Sequence, residues 1–297
     1  MRLFTWLHHQ LADLLSDFVL PGLAALLPRR WMNRLLWRAA GLAWLFPASA
    51  RAIEPSESAC FGAVSDLRRR WAWTTLVEAA QTWRLIFGLR PRLTVDGHWP
   101  EAPGFIAAGM HYGTGIIALW HLRHCGLRPR FVFRPVARDD LPGRPVKLAW
   151  YRLRTRLIKR LCPDGPITTG GASQRIDQAL HECRSTPVLL FDTPTQEPGD
   201  WCMRVGQAEI PLRSGGARRF GRAGITVAFF VVTIDPDTGE SELTVTRLEP
   251  DRPVQEQVME HMEQAMKNDA GQWLLWRGVE GLFQPAPEDP AASEQTW

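Results

Sequence analysis

The side chain best placed for chemistry is a histidine in the stretch FIAAGMHYGTGIIALW, residues 105 to 120. His111 ends an apolar, strand-like run and leads through Gly113, Thr114 and Gly115 into an apolar helical pattern. A residue at such a junction is held rigidly yet reaches a cleft, and the amides that open a helix can face a developing negative charge. An imidazole there can take a proton from an attacking hydroxyl. Nothing acidic stands beside it in sequence.

The elements that must position His111 follow from periodicity. After Pro91 the runs RLTVDGH, GFIAAGM, RFVFRPV, TPVLLFDT, ITVAFFVVTI and ELTVTRLE read as strands, with TIDPDTGESEL as a hairpin between the last two. WYRLRTRLIKRL, ASQRIDQALHECR and VQEQVMEHMEQAMK read as helices between them. Alternation of this kind predicts an α/β fold, a mostly parallel mixed sheet flanked by helices, because PVLLF and VAFFVV are continuous apolar runs. A longer helix is predicted from Glu57 to Phe87, with Ser56 or Ser58 as N-cap and Gly88 as its stop. Residues 51–284 thus form one α/β domain, residues 1–50 a helical segment at a membrane interface, and residues 285–297 a disordered tail rich in Pro, Ala and acids.

The interface expectation rests on the first fifty residues. Asp13 and Asp17 interrupt the run LADLLSDFVLPGLAALLP and Pro21-Gly22 breaks it, so no uncharged helical span of bilayer length survives. A cleavable signal peptide fits poorly, with a lone Arg2 ahead of a run that carries both aspartates. Next come Arg29, Arg30, Arg34 and Arg38 among Trp31, Trp37 and Trp44, a mixture suited to the headgroup layer. The whole chain has 14 Trp against 2 Tyr, and indoles favour such boundaries.

Charge is uneven. Between Arg123 and Arg160 twelve basic residues face only Asp139 and Asp140, a local net of +10 that would attract an anionic partner or simply form a solvated face. Nucleic acid fits that charge, but no nucleic-acid module accompanies it. The five cysteines are scattered without a Cys-x-x-Cys pair, which argues against a disulfide framework or a zinc site. His121, His124 and Cys125 share a helical face but lack a fourth ligand, so no metal is expected.

The run from His111 to Ile116 resembles the histidine-aromatic-glycine-asparagine-tryptophan-acid signature of the late lipid A acyltransferases, the lauroyl/myristoyl group of the lysophospholipid acyltransferase superfamily. RRRWAWTTLVEAAQTWRL at 68–85 is similar to that family's basic and aromatic helix ahead of the motif. FVFRP at 131–135 resembles its strand ending in an acceptor-site arginine, here Arg134. VLLFDT at 188–193 resembles its strand ending in an aspartate, here Asp192. The stretch VGQAEIPLRSGGARRFGRAGITVAFFVV resembles a loop that opens a helix before the next core strand, and QWLLWRGVEGLF at 272–283 the closing Trp-rich segment. The order is the family's, and it covers the chain to about residue 284.

The resemblance implies transfer of a fatty acyl group to a lipid or lipid-like acceptor at the cytoplasmic face of a bacterial inner membrane. His111 would be the general base, Arg134 the anion anchor, and Gly113 and Thr114 substrate contacts. The donor would be an acyl carrier protein or coenzyme A thioester, with no further cofactor. The chain departs from the pattern twice: Ile116 stands where the acid that orients the histidine belongs, and the basic ending is reduced to Arg277-Gly278-Val279. Asp192, Asp139 or Asp140 could supply the acid from elsewhere. Asp192 is preferred, because a carboxylate at a strand end faces the sheet edge where ligands bind. The alternative is a degenerate member that binds acyl chains or acyl carrier protein without turnover.

Overall fold

Side chains alternate along an extended strand, so a run that is apolar at every position must be covered on both faces. The apolar runs all extend. In the computed structural model, which describes residues 2–46, 53, 60–61, 66–101, 104–182, 185–196, 201–213, 224–279, 282 and 284–285, the strands are β1 (Leu93–Gly97), β2 (Ile106–Gly109), β3 (Pro129–Phe133), β4 (Ile167–Thr168), β5 (Thr186–Leu190), β6 (Cys202–Val205), β7 (Ala208–Pro211), β8 (Val227–Ile234), β9 (Ser241–Arg247) and β10 (Gln284–Pro285). Seven make one sheet in the order β1-β9-β8-β2-β5-β3-β4, parallel throughout except for the β8–β9 hairpin. The sequence reading missed the short β6–β7 hairpin, which forms a second, antiparallel sheet with β10.

Helices lie on both faces. Ile106, Ala108 and Phe229 pack against α4 (Leu67–Ile86), α7 (Ala172–His181) and α8 (Val254–Asp269), while Ala107, Ala228 and Phe230 pack against α5 (Ile116–His124) and α6 (Pro145–Leu161). The predicted hairpin turn forms as read: Asp235 Oδ1 accepts from the amides of Asp237 and Thr238 at 2.8 and 2.7 Å, and Gly239 takes a positive φ. The long helix begins at Leu67 with Asp66 as N-cap residue, and stops at Gly88 as expected. Ser56 and Ser58, the tail from 286 and the helix expected within 214–223 lie outside the described residues.

The N-terminal segment departs from expectation in one respect. Pro21-Gly22 does not break the helix: α1 (Arg2–Asp13) passes through a π-helical turn (Leu14–Val19) into α2 (Leu20–Ala24). Proline is tolerated because the carbonyl four residues back, which its missing N–H cannot meet, accepts from an α4 indole instead. The π turn sets Ser16 and Asp17 inward, and the Asp17 carbonyl accepts from Trp83 Nε1 at 2.8 Å. With α3 (Arg29–Ala40), these helices pack on α4, where Met32 and Leu36 share a core with Trp73 and Leu76.

Along α1 and the π turn, however, the packing is inside out. An amphipathic helix ordinarily turns its apolar stripe inward, yet Leu3, Phe4, Leu7, Leu11 and Leu14 face solvent while Asp13, Ser16 and Asp17 are buried. The inward carboxylates are held by ion pairs to α6 and its cap: Asp13 with Arg144, and Asp17 with Lys147 Nζ at 2.8 Å. Glu78 of α4 joins the same row through Arg154. Residues 147, 151 and 154 recur at helical spacing, so one face of α6 lies along all three acids. Among the described residues, no helix is long and apolar enough to cross a membrane.

Burial holds the Asp17 and Glu78 carboxyls above the usual range, with Lys147 and Arg154 opposing it. The stability linked to Glu78 protonation is therefore complete below its unfolded value of about 4.3 and is lost as pH rises through the higher folded value. Removing Arg154 enlarges that loss. We expect Arg154→Met to unfold at nearly the wild-type temperature near pH 4 but to lose about 3–5 kcal/mol at pH 8, with Glu78→Gln in the same chain restoring most of it. Thermal melts across that range check it; equal destabilisation at both ends would show that Arg154 acts by packing alone.

Candidate active site

The register of two parallel strands brings the histidine and its acid together. Between β2 and β5, Ala107 lies opposite Val188 and Gly109 opposite Leu190, and the Phe191 amide donates to the Gly109 carbonyl at 2.9 Å. Two residues further on, the same offset places Asp192 beside His111. The Asp192 carboxylate accepts from His111 Nδ1 on Oδ1 at 2.8 Å, and from the His111 backbone amide and Trp273 Nε1 on Oδ2 at 2.6 and 2.7 Å. Asp192 is entirely buried.

Among the described residues three donors and no acceptor face that carboxylate, an arrangement complementary to an ionised group. A carboxylate can only accept, which places the imidazole proton on Nδ1 and leaves the lone pair on Nε2. Nε2 has no hydrogen-bond partner among the described residues, and the ring, 36% accessible, faces a cavity. This is the geometry of a base oriented by a buried acid.

A strap running from Asp269 to Gly278 locks the pair from above. Trp273 Nε1 reaches Asp192, the Leu274 amide donates to the His111 carbonyl at 2.8 Å, and the Gly113 amide donates to the Gln272 carbonyl at 2.9 Å. The Gln272 side chain imitates a strand residue, accepting from the Ile234 amide at 2.7 Å and donating to its carbonyl at 2.9 Å. Tyr112 sets its hydroxyl between the carbonyls of Ala265 and Asp269, and burial pushes its pKa up. Gly113 has to be glycine: its φ is positive, and a Cβ would meet the Val232 carbonyl oxygen at 1.9 Å.

The cavity, of about 630 Å³, is within the range of small-ligand sites. Its lining is mostly apolar, with Ile116, Leu119, Phe131, Trp150, Val188 and Phe230 on the α5–α6 side of the sheet. Asp13, Asp17 and Glu78 also line it, with their partners Arg144, Lys147 and Arg154. Arg277 also lines it. The residue is exposed toward the open cavity, and partial desolvation and the charge of Arg144 lower its pKa.

His111 and Asp192 are thus brought into contact, and of the other expected site residues Arg134 borders the same cavity while Gly113 and Thr114 do not. Arg134 stands at the cavity rim, two-thirds exposed, and its Nη2 donates to Asp140 at 2.9 Å. Asp139 and Asp140 are on the loop after β3, and Asp140 is tied to Arg134 and the Ala137 amide. Gly113 and Thr114 do not line the cavity; the Thr114 hydroxyl is buried on Ser241 Oγ at 3.2 Å. Ile116 is part of the apolar wall. Much of the basic stretch is committed to protein partners, through Arg128–Asp164, Arg134–Asp140, Arg144–Asp13, Lys147–Asp17 and Arg154–Glu78. In the candidate metal cluster, His121 Nδ1 accepts from Trp99 Nε1 at 2.9 Å. Sequence reasoning missed Trp273 and Glu78, and it read Asp13 and Asp17 only as interruptions. Their spacing of four in an apolar run was the available signal of one inward polar face.

No protein-family model matches the chain, and no curated protein sequence is significantly similar to it. Among solved structures it is similar to the 1-acyl-sn-glycerophosphate acyltransferase PlsC from Thermotoga maritima, at 15% identity and a TM-score of 0.35, over 82% of this chain and 98% of that one. What the site can do rests on this chain's own geometry.

The carboxylate hub makes a structural prediction independent of any activity. Trp273→Phe removes one donor to Asp192, and Asp192→Asn turns an amide NH₂ toward a donor; each should cost about 1–3 kcal/mol of stability. Denaturant unfolding measures this, and a variant as stable as wild type would mean that the hub does not anchor the strap.

Proposed function

We propose that the chain is an acyltransferase that moves a fatty acyl group from a thioester to the hydroxyl of a lipid or lipid-like acceptor. The observation that supports this best is the His111–Asp192 pair, with its free Nε2, bordering a largely apolar cavity. His111 Nε2 takes the acceptor hydroxyl proton as the oxygen attacks the thioester carbonyl. The amides that open α5 stand next in the chain, where a helix N-terminus favours the tetrahedral oxyanion. Collapse breaks the C–S bond, and His111 returns the proton to the departing thiolate. Asp192 fixes the tautomer and stabilises the imidazolium while the proton is held. The apolar wall takes the acyl chain, and the donor is a thioester of acyl carrier protein or coenzyme A.

The outward face of the N-terminal helices supports a membrane setting, at the cytoplasmic face of a bacterial inner membrane. Leu3, Phe4, Leu26 and Trp31 are each more than 60% exposed, with Arg30, Arg34 and Arg38 exposed beside them. Apolar side chains at this density are costly in water and favourable in an acyl boundary, and the arginines suit anionic headgroups. Asp13, Ser16 and Asp17, on the inner side of α1 and its π turn, line the cavity. A lipid substrate therefore has a short path from the bilayer to His111.

Transfer from a labelled acyl thioester to lysolipid acceptors tests the chemistry. His111→Ala should lower turnover about 10²–10⁴-fold, and Ile116→Glu should lower it too, because Asp192 already holds the histidine and the new carboxylate would enter an apolar wall. Activity unchanged in His111→Ala would refute the assignment of the base; binding of acyl chains with no transfer to any acceptor would refute the enzyme. Separately, the protein should sediment with anionic vesicles, and the combined change Phe4→Ser, Leu7→Ser and Trp31→Ser should release it. Retention of that variant would move the membrane contact elsewhere.

A further inference from the structure

The charges around the cavity do not cancel. Three carboxylates line it, and each already has its cation: both oxygens of Asp13 meet Arg144, both of Asp17 meet Lys147, and Glu78 meets Arg154. Arg134 at the rim pairs with Asp140. Arg277 is left over. Among the described residues its guanidinium has no ion pair and no hydrogen bond, although Arg144, Tyr151, Asp13 and Asp17 are close enough to act on its charge. The Tyr151 hydroxyl, also on the cavity wall, is likewise unpartnered among the described residues.

A guanidinium with no counter-ion at the wall of a largely apolar cavity is a ready partner for an anion. The backbone beneath Arg277 is fixed: the Trp276 indole donates to the Ala270 carbonyl at 2.7 Å, the Gly278 amide to the Leu275 carbonyl at 2.7 Å, and the Leu274 amide to His111 itself. Thus the strap that orients the base also carries the free guanidinium. We propose that Arg277, rather than Arg134, anchors a lipid-borne oxyanion, a phosphate or carboxylate of the acyl acceptor, with the Tyr151 hydroxyl as a second donor. A guanidinium fork suits either group. That the anion belongs to an acceptor rests on the proposed acyl transfer; that the cavity takes an amphipathic anion does not.

Binding and turnover separate the two. In calorimetry with the intact chain, wild type should bind dodecyl phosphate about 10- to 100-fold more tightly than dodecanol. Arg277→Gln should abolish that preference while leaving dodecanol binding unchanged, and Arg277→Lys should keep part of it. The inference is overturned if wild type shows no preference or binds neither probe, if Arg277→Gln retains the preference, or if inorganic phosphate binds as tightly as dodecyl phosphate, which would indicate a free-anion site. In the transfer assay, Arg277→Gln should raise KM about 10- to 100-fold for a monoacylglycerol phosphate and leave KM for monoacylglycerol and thioester in place. Equal kcat/KM of wild type for the two acceptors would overturn the anchor while acyl transfer stands. Preference for dodecyl phosphate in a protein that transfers nothing would leave the anion site standing and the enzyme refuted.

Discussion

A single buried carboxylate carries the geometry of the site. Asp192 satisfies its two oxygens with the ring and amide of His111 and with the indole of Trp273, so β2, β5 and the strap meet at one charge. Such a group cannot be left half-satisfied in a dry interior. The imidazole orientation, the strap position and the end of the central strands are therefore a single solution to one hydrogen-bonding problem. The site is stiff because β2 lies in the middle of the sheet, between β5 and β8.

The N-terminal helices obey a different constraint. Along α1 and the π turn, Asp13 and Asp17 are directed inward to α6 and its cap while Leu3, Leu7, Leu11 and Leu14 face outward, the reverse of a water-soluble arrangement. A row of ion pairs makes the joint, and charges are directional where apolar contacts are not. The helices can thus have an apolar outer surface without losing a defined position over the cavity. One element thus has two distinct sides, an exposed apolar one and a charged one that lines the cavity.

The sheet and its helices were legible in the sequence because strand and helix periods are local. β2, β3, β5, β8 and β9 fall on the runs read as strands. His111 was legible for the same reason, being a strand-end residue followed by glycines. Its partner was only half legible. Asp192 could be preferred as a strand-end carboxylate, but the contact depends on β2 pairing with β5 in register, a fact of tertiary structure. Arg134 stood out because it ends a strand, whereas its pairing with Asp140 and the absence of a partner for Arg277 among the described residues arise from folded geometry. The π turn was illegible, since proline and glycine signal a break and only packing against Trp83 shows how the helix survives them.

The sequence separations at the hub have a consequence for assembly. Asp192 lies 81 residues from His111 and 81 from Trp273, so the three meet only when two long loops have closed. Contacts of that span are slow to form and come after local helices and hairpins. A partly folded chain can therefore hold its sheet and still lack an oriented imidazole, with the cavity open on the side where the strap belongs. Competence at His111 then becomes a late marker of maturation, reporting the completed tertiary fold where secondary structure alone would not.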